Sequence, residues 1–247
     1  DLDGMLRQDD GQISGELTGP DLINRARRVV GESAFSQGLD VSDIRAFASI
    51  ARRAGVTTAA DLFSDMSDKT VTAYRAAAED DTVPLRMVPA LGALLYPGAK
   101  ALDRLREVEG FSHEKLYFGA VKLILDGSIQ GFTARLRWPG YHNSAPNGLW
   151  YVAPPQLEDI VERLHAAGVQ LHIHTNGDEA TELAVNVLGR VLARHPRPDH
   201  RHTLQHCQLA DPALFRRIAA LGLCCNLFSN HIFYWGDQHV EKTLGLA

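Results

Sequence analysis

Residues 169–178 read VQLHIHTNGD, Val169 to Asp178, and this stretch decides the fold. Strand side chains alternate between two faces. Val169, Leu171, Ile173 and Thr175 therefore share one face, and Gln170, His172 and His174 share the other. One face is apolar and the other carries two histidines. In a closed parallel barrel the apolar face meets the outer helices and the polar face looks inward. His174 then stands near the carboxyl end of its strand, where barrel enzymes keep their chemistry. The plainer alternative is a pair of core histidines satisfied by their neighbours. Asn176-Gly177 is a turn, and Asp178 is expected as the N-cap of the next helix rather than as a catalyst.

Working outward, strand and helix patterns alternate on both sides. Residues 1–20 are polar and glycine-rich, with turn chemistry in DDGQISG, and a helix is expected over 21–30. Apolar residues at helical spacing (Ile44, Phe47, Ala48, Ile50, Ala51) mark a helix closed by Gly55. Strands are expected at 56–60, 84–91, 116–125, 169–175, 202–207 and 223–228. Helices are expected at 65–80, 98–109, 154–167, 178–194 and 211–221. A glycine-rich aromatic loop fills 127–153, and NHIFYWGDQH is read as a loop over 229–239. This order means βα units and a parallel sheet. The fold class is α/β, a TIM (β/α)8-type barrel. Six strands are counted where a closed barrel needs eight, so the barrel is expected to be incomplete.

The length of 247 residues suits one such barrel domain over 1–247. Acids outnumber bases 30 to 25. There is no basic block, which leaves nucleic-acid binding without an electrostatic footprint. No run of about 18 apolar residues marks a membrane span. Three cysteines, Cys207, Cys224 and Cys225, an odd count without CxxC spacing, argue against a disulfide framework and against a thiolate zinc site. They point to a reducing, cytoplasmic setting.

Three residues interrupt apolar strands. Lys122 lies in GAVKLILDG, with Ala120, Ile124 and Asp126 on its strand face. Such a lysine can snorkel its amine outward, pair with a carboxylate, or stand desolvated with a depressed pKa. Asp126-Gly127-Ser128 follows, where site loops belong. His174 is the second interruption and His206, in RHTLQHCQ, the third. Parity places His206 with His202 and Leu204, and Cys207 on the opposite face. Three successive strands ending in Lys, His and His suit zinc or a related divalent metal.

These segments resemble the amidohydrolase superfamily, in particular the branch of N-substituted formamide deformylases. VKLILDGSIQGFTARL resembles the family's lysine strand and Asp-Gly-Ser turn. LHIHTNGDEA resembles its His-x-x-Gly-Asp strand end, and RHTLQHCQLAD its Arg-His…His-x-Gln strand. DDGQISGEL is also similar to a family segment. The resemblance implies that Lys122, as a carboxylated lysine or a metal-side residue, joins His174 and His206 around one or two zinc ions. His172 does not match a ligand position and is read as supporting or core. The family's first-strand His-x-His pair, its last-strand aspartate (the general base) and its flanking β-sandwich are expected outside this chain. The activity implied is metal-dependent hydrolysis of a non-peptide carbon–nitrogen bond in a small-molecule amide or formamide.

Asp126, His231, Trp235 and Asp237 are candidate substrate-binding residues, with Tyr234 and His239 beside them. The alternative is an aromatic loop packed on the barrel rim. Residues 132–151, with Trp138, Tyr141, Trp150 and Tyr151, are read as a lid, a rigid surface loop or a homodimer contact. Three other functions compete: an inert metal-binding barrel remnant, a lyase using Lys122 as a Schiff-base amine, and a scaffold without a site.

Overall fold

The computed structural model describes residues 5–17, 26, 29, 39–96 and 99–246. The chain divides into two compact units, Asp1–Leu39 and Asp40–Ala247. In the first, β1 (Met5–Arg7) and β2 (Ile13–Leu17) form an antiparallel hairpin. The turn lies where Asp9-Asp10-Gly11 places it. Asp10 accepts the Gln12 amide at 2.9 Å, and Gly11 takes φ 81°. Turn chemistry marks this hairpin in the sequence, but its strands are too short to show alternation. The helix expected over 21–30 lies outside the described residues, apart from residues 26 and 29.

The second unit is a βα array. It runs α1 (Val41–Arg53), β3 (Thr58–Ser64), α2 (Asp68–Glu79), β4 (Arg86–Gly92), α3 (Lys100–Glu109) and β5 (Ala120–Ile124). It continues α4 (Pro154–Ala166), β6 (Gln170–Thr175), α5 (Asp178–Arg194), β7 (Thr203–His206), α6 (Pro212–Ala220), β8 (Cys224–Leu227) and α7 (Asn230–Gln238). Local chemistry sets the helix starts. Asp40 and Asp43 form a capping box on α1, Pro154 and Pro155 open α4, and Asp211 caps α6 through the Leu214 amide at 2.7 Å.

β3 to β8 form one six-stranded parallel sheet in sequential order. This is the expected α/β architecture, an incomplete (β/α)8 barrel of six strands. Leu171, Ile173 and Thr175 are fully buried, and α4 and α5 pack on β6. Gln170, His172 and His174 are half-buried on the opposite, concave face. Lys122 pairs in register with His172, Ile124 with His174, His174 with Gln205 and Thr175 with His206.

Three local expectations are corrected. Residues 230–238 are helical, and a five-residue π-turn (His239–Thr243) follows where a loop was expected. Asp178 is the first helical residue of α5, and Gly177 is the N-cap. A Cβ on Gly177 would lie 1.8 Å from the Arg135 carbonyl oxygen, so only glycine fits beside that loop.

The parity of β7 fails at its end. His202 and Leu204 point outward, and both are fully buried. The His202 ring donates from Nε2 to His165 Nδ1 at 2.8 Å, because its Nδ1 accepts the Leu171 amide at 3.1 Å. His165 Nε2 in turn donates to the His195 carbonyl at 2.7 Å. His206 takes φ 78° and Cys207 φ 46°. These left-handed residues interrupt the alternation. They turn His206 to the concave face and Cys207 away from it.

Candidate metal centre

His174 and His206 meet at the carboxyl end of β6 and β7. Their ring centroids are 4.7 Å apart in an edge-on arrangement. The His174 tautomer follows from its neighbours. Its Nε2 lies 3.2 Å from Asn176 Nδ2 and, closer, 3.0 Å from the Gly127 carbonyl oxygen, which can only accept, and this nearer contact assigns the hydrogen to Nε2. Asn176 Nδ2 donates to the same oxygen at 2.7 Å. Nδ1 of His174 is left as a lone-pair donor. A ring nitrogen tied to a carbonyl while the other stays free is the arrangement of a metal-binding histidine. Burial pushes the His174 imidazole down to about 3, helped by the nearby His206 and Lys122 charges. It is therefore neutral at pH 7, as a metal ligand must be. Burial, then Lys122, hold His206 down to about 4. Among the described residues the His206 ring makes no hydrogen bond, only ring contacts to His174 and Phe228.

Lys122 lies on the same concave face and is only 4% exposed. Burial alone pushes its amine down to about 8. Among the described residues no carboxylate pairs with it. Its charge is close enough to depress all three imidazoles, His172, His174 and His206. Lys122 thus shares the concave face with His174 but lies mid-strand, in register with His172, two residues below the rim where His174 and His206 meet.

His172 is a supporting residue. Gln205 Nε2 donates to His172 Nδ1 at 2.7 Å, and Asn226 Nδ2 donates to Gln205 Oε1 at 2.7 Å. This polar chain crosses β6, β7 and β8 beneath the two rim histidines. Sequence reasoning missed Gln205, Asn226 and Asn176. The parity that set Gln205 opposite Leu204 was the available signal for the first of them.

Asp126 lies just past the carboxyl end of β5, two residues beyond the register partner of His174. It is fully buried. Its Oδ1 accepts the Asn176 amide at 2.9 Å, and its Oδ2 accepts the Gly177 and Arg135 amides at 2.7 and 3.0 Å. His174 Nε2 lies 3.6 Å from Oδ1, beyond hydrogen-bond length. Burial pushes the carboxyl up to about 6, while the backbone amides pull the other way. The residue clamps the 127–153 loop to the end of β6.

That loop is anchored along its length. Arg135 grips Glu179 with two hydrogen bonds of 3.0 and 3.1 Å. Arg137 bonds Glu182 at 2.9 Å and Asp211 at 3.0 Å. Asp178 accepts the Arg137 amide at 2.9 Å. Of its aromatics, Tyr141 is buried and bonds the Ala134 carbonyl at 2.8 Å, Trp150 lies under Arg135, and Trp138 is 94% exposed. These ties join the loop to α5 and to the start of α6.

The α7 candidates lie further out. The His231 ring stacks obliquely on Phe228, whose ring is 5.8 Å from His206. Trp235 is half-buried and Asp237 exposed on α7, and among the described residues no side-chain hydrogen bond ties them to the His174–His206 pair. Tyr234 is exposed and His239 buried. A cavity of about 580 Å³ is lined by Leu123, Tyr151 and Ile160. Leu123 faces away from Lys122, so this cavity belongs to the helix layer.

Two neutral imidazoles and a partly deprotonatable amine are donors suited to a borderline divalent cation. They make part of a ligand shell: among the described residues no three His, Cys, Asp or Glu side chains gather as a cage. The amidohydrolase family model matches residues 5–247. The chain belongs to the amidohydrolase family.

Its curated relatives include "Putative amidohydrolase YtcJ" of Bacillus subtilis (strain 168). The two are 28% identical over 147 residues, covering 58% of this chain and 27% of that protein. "Protein LONG AFTER FAR-RED 3" of Arabidopsis thaliana is 29% identical over 148 residues, covering 60% of this chain and 25% of that protein. An uncharacterized metal-dependent hydrolase from Pyrococcus furiosus superposes over the whole chain with TM-score 0.69 at 19% identity, covering 48% of that structure. Another from Pyrococcus horikoshii OT3 gives TM-score 0.65 at 18% identity, over 96% of this chain and 46% of that structure. Both share the fold. The chain spans about half the length of these solved structures and matches about a quarter of the curated relatives.

Proposed function

We propose that this chain carries the central strands of a metal-dependent hydrolase that cleaves a non-peptide carbon–nitrogen bond in a small-molecule amide, as in the N-substituted formamide deformylase branch. The proposed setting is cytoplasmic and the proposed metal is zinc, one ion or two. One observation carries the reading: His174 and His206 converge as neutral rings, and the Gly127 carbonyl locks His174 with Nδ1 free. Bound zinc supplies a water of lowered pKa and polarises the substrate carbonyl.

The chain's own residues hold that chemistry in place. His174 and His206 supply nitrogen lone pairs, and Lys122 supplies an amine near enough to neutral to accept carbon dioxide as a carbamate. Asn176 and the Gly127 carbonyl fix the His174 ring plane. Asp126 and the Arg135–Glu179 pair hold the loop that carries Gly127. His231, Trp235 and Asp237 are proposed to meet the substrate from α7. With Asp126 closed off by three amides, it is not the proposed proton shuttle.

Elemental analysis of purified protein tests the ligand set. His174→Ala and His206→Ala are each expected to remove the zinc. Stoichiometric zinc and full activity in both variants would refute the assignment. The depressed, unpaired Lys122 amine also favours a second reading, a Schiff-base lyase. Borohydride reduction with a carbonyl substrate then traps a covalent adduct at Lys122, which the hydrolase reading does not produce.

A further inference from the structure

Two thiols stand together where β7 ends. Cys207 directly follows His206, and Cys225 lies in β8, in register with Leu204. The left-handed backbone at His206 and Cys207 swings the Cys207 side chain onto the outer side of the sheet. There its sulfur is 4.0 Å from Cys225 Sγ and 3.8 Å from Thr175 Oγ1. A disulfide bond is about 2.05 Å long, so the sulfurs need to approach by about 2 Å. Cys207 sits on the left-handed kink past the end of β7 rather than within the ladder, so its end can give.

The two thiols are unequal. Cys207 is buried, Cys225 is half-buried and Cys224 is exposed. Cys207 donates its S–H to Cys225. The accessible sulfur is thus the nucleophile, and the sheltered one lies in reach to resolve it.

We propose that Cys225 and Cys207 are a peroxide-sensitive modification site: they close to a reversible disulfide, and closure displaces His206. Cys225 attacks a hydroperoxide, is oxidised to the sulfenic acid, and releases the alcohol or water. Cys207 then attacks the sulfenic sulfur, and the disulfide forms with loss of water. The peroxide gains two electrons and the thiol pair loses two. His206 and Cys207 share a peptide, with φ 78° and 46°. Drawing Cys207 toward β8 therefore turns the residue that presents the His206 ring.

The test uses the reduced full chain treated with stoichiometric hydrogen peroxide. Free thiols are alkylated, and intact mass and non-reducing peptide maps are recorded. The expected product has lost two hydrogens, carries a Cys207–Cys225 link and one alkylated thiol at Cys224, and reverts with dithiothreitol. Cys224→Ser is expected to keep the link and Cys225→Ser to abolish it. The His206 imidazole resonance, assigned with His206→Gln, is expected to move on oxidation and return on reduction. This readout needs no metal, so it stands apart from the hydrolase reading. A sulfinic acid on Cys225 with Cys207 unlinked, a link through Cys224, or an unmoved His206 resonance would overturn the proposal.

Discussion

Asp126 offers a test of how the rim is held. Asp126→Ala leaves the amides of Asn176, Gly177 and Arg135 without their acceptor. Each unpaired buried donor costs about 1–3 kcal/mol. Against this, the carboxylate is itself disfavoured: burial moves it from 3.8 up to about 6. That rise of about two units is worth about 3 kcal/mol at neutral pH. The net expected loss for Asp126→Ala is about 3 kcal/mol at pH 7.

Asp126→Asn keeps one oxygen for Gly177 and Arg135 and turns its NH₂ toward the Asn176 amide. It loses one bond and also the buried charge, so near-neutral stability is expected at pH 7. The pH dependence has a definite sign. The carboxyl's folded pKa lies above its unfolded value. Its linked stability is present in full below about 3.8 and is lost as pH rises through about 6. Asparagine does not titrate and shows no such dependence. The penalty of Asp126→Asn is therefore expected to grow by about 1.4 kcal/mol between pH 7 and pH 5. Urea unfolding of both proteins at each pH, followed by Trp fluorescence, measures the difference. Contributions common to both proteins cancel. Trp150, under Arg135, reports on the clamped loop. A penalty that is larger at pH 7 than at pH 5 would show that the three amides outweigh burial, and would refute the reasoning.

Other outcomes follow from the same geometry. Lys122→Met removes a buried amine whose folded pKa is depressed to about 8. It is expected to raise stability by about 3 kcal/mol at pH 7, a gain that falls to about 1 kcal/mol by about pH 10 and vanishes above the unfolded value of 10.5, while activity is lost; thermal melts across that range check it. Arg135→Ala breaks the two-pronged Glu179 contact and is expected to cost about 1–2 kcal/mol, with faster limited proteolysis within 127–153. His202 is buried and neutral, well below its ordinary range, because of burial and the neighbouring His200. Its folded pKa is depressed, so stability is expected to fall by about 1.4 kcal/mol for each pH unit below about 6.5. Acid unfolding of His202→Gln, which cannot titrate, is expected to be shallower by that slope.

Much of the barrel was legible from residues alone. Six apolar runs alternate with helical spacing, and each overlaps a strand in chain order, the first shifted from 56–60 to Thr58–Ser64; for the four inner strands the gain from burying an apolar face dominates where the segment settles. The period-two pattern of β6 sorted its histidines from its core side chains without knowledge of any neighbour. Lys122 was visible as a charge amid apolar residues. Three features needed the folded chain. His206 reaches the concave face through left-handed backbone that period-two counting cannot foresee. The 229–239 stretch is a helix although its aromatic and polar residues suggested a loop. Asp126 turned inward onto three amides supplied from positions 135, 176 and 177, a partnership that no local pattern encodes. Sequence alone settles what a segment prefers, since propensity and periodicity act within a few residues. Which polar groups end up facing one another depends on side chains brought together from distant strands, and there the tertiary structure decides.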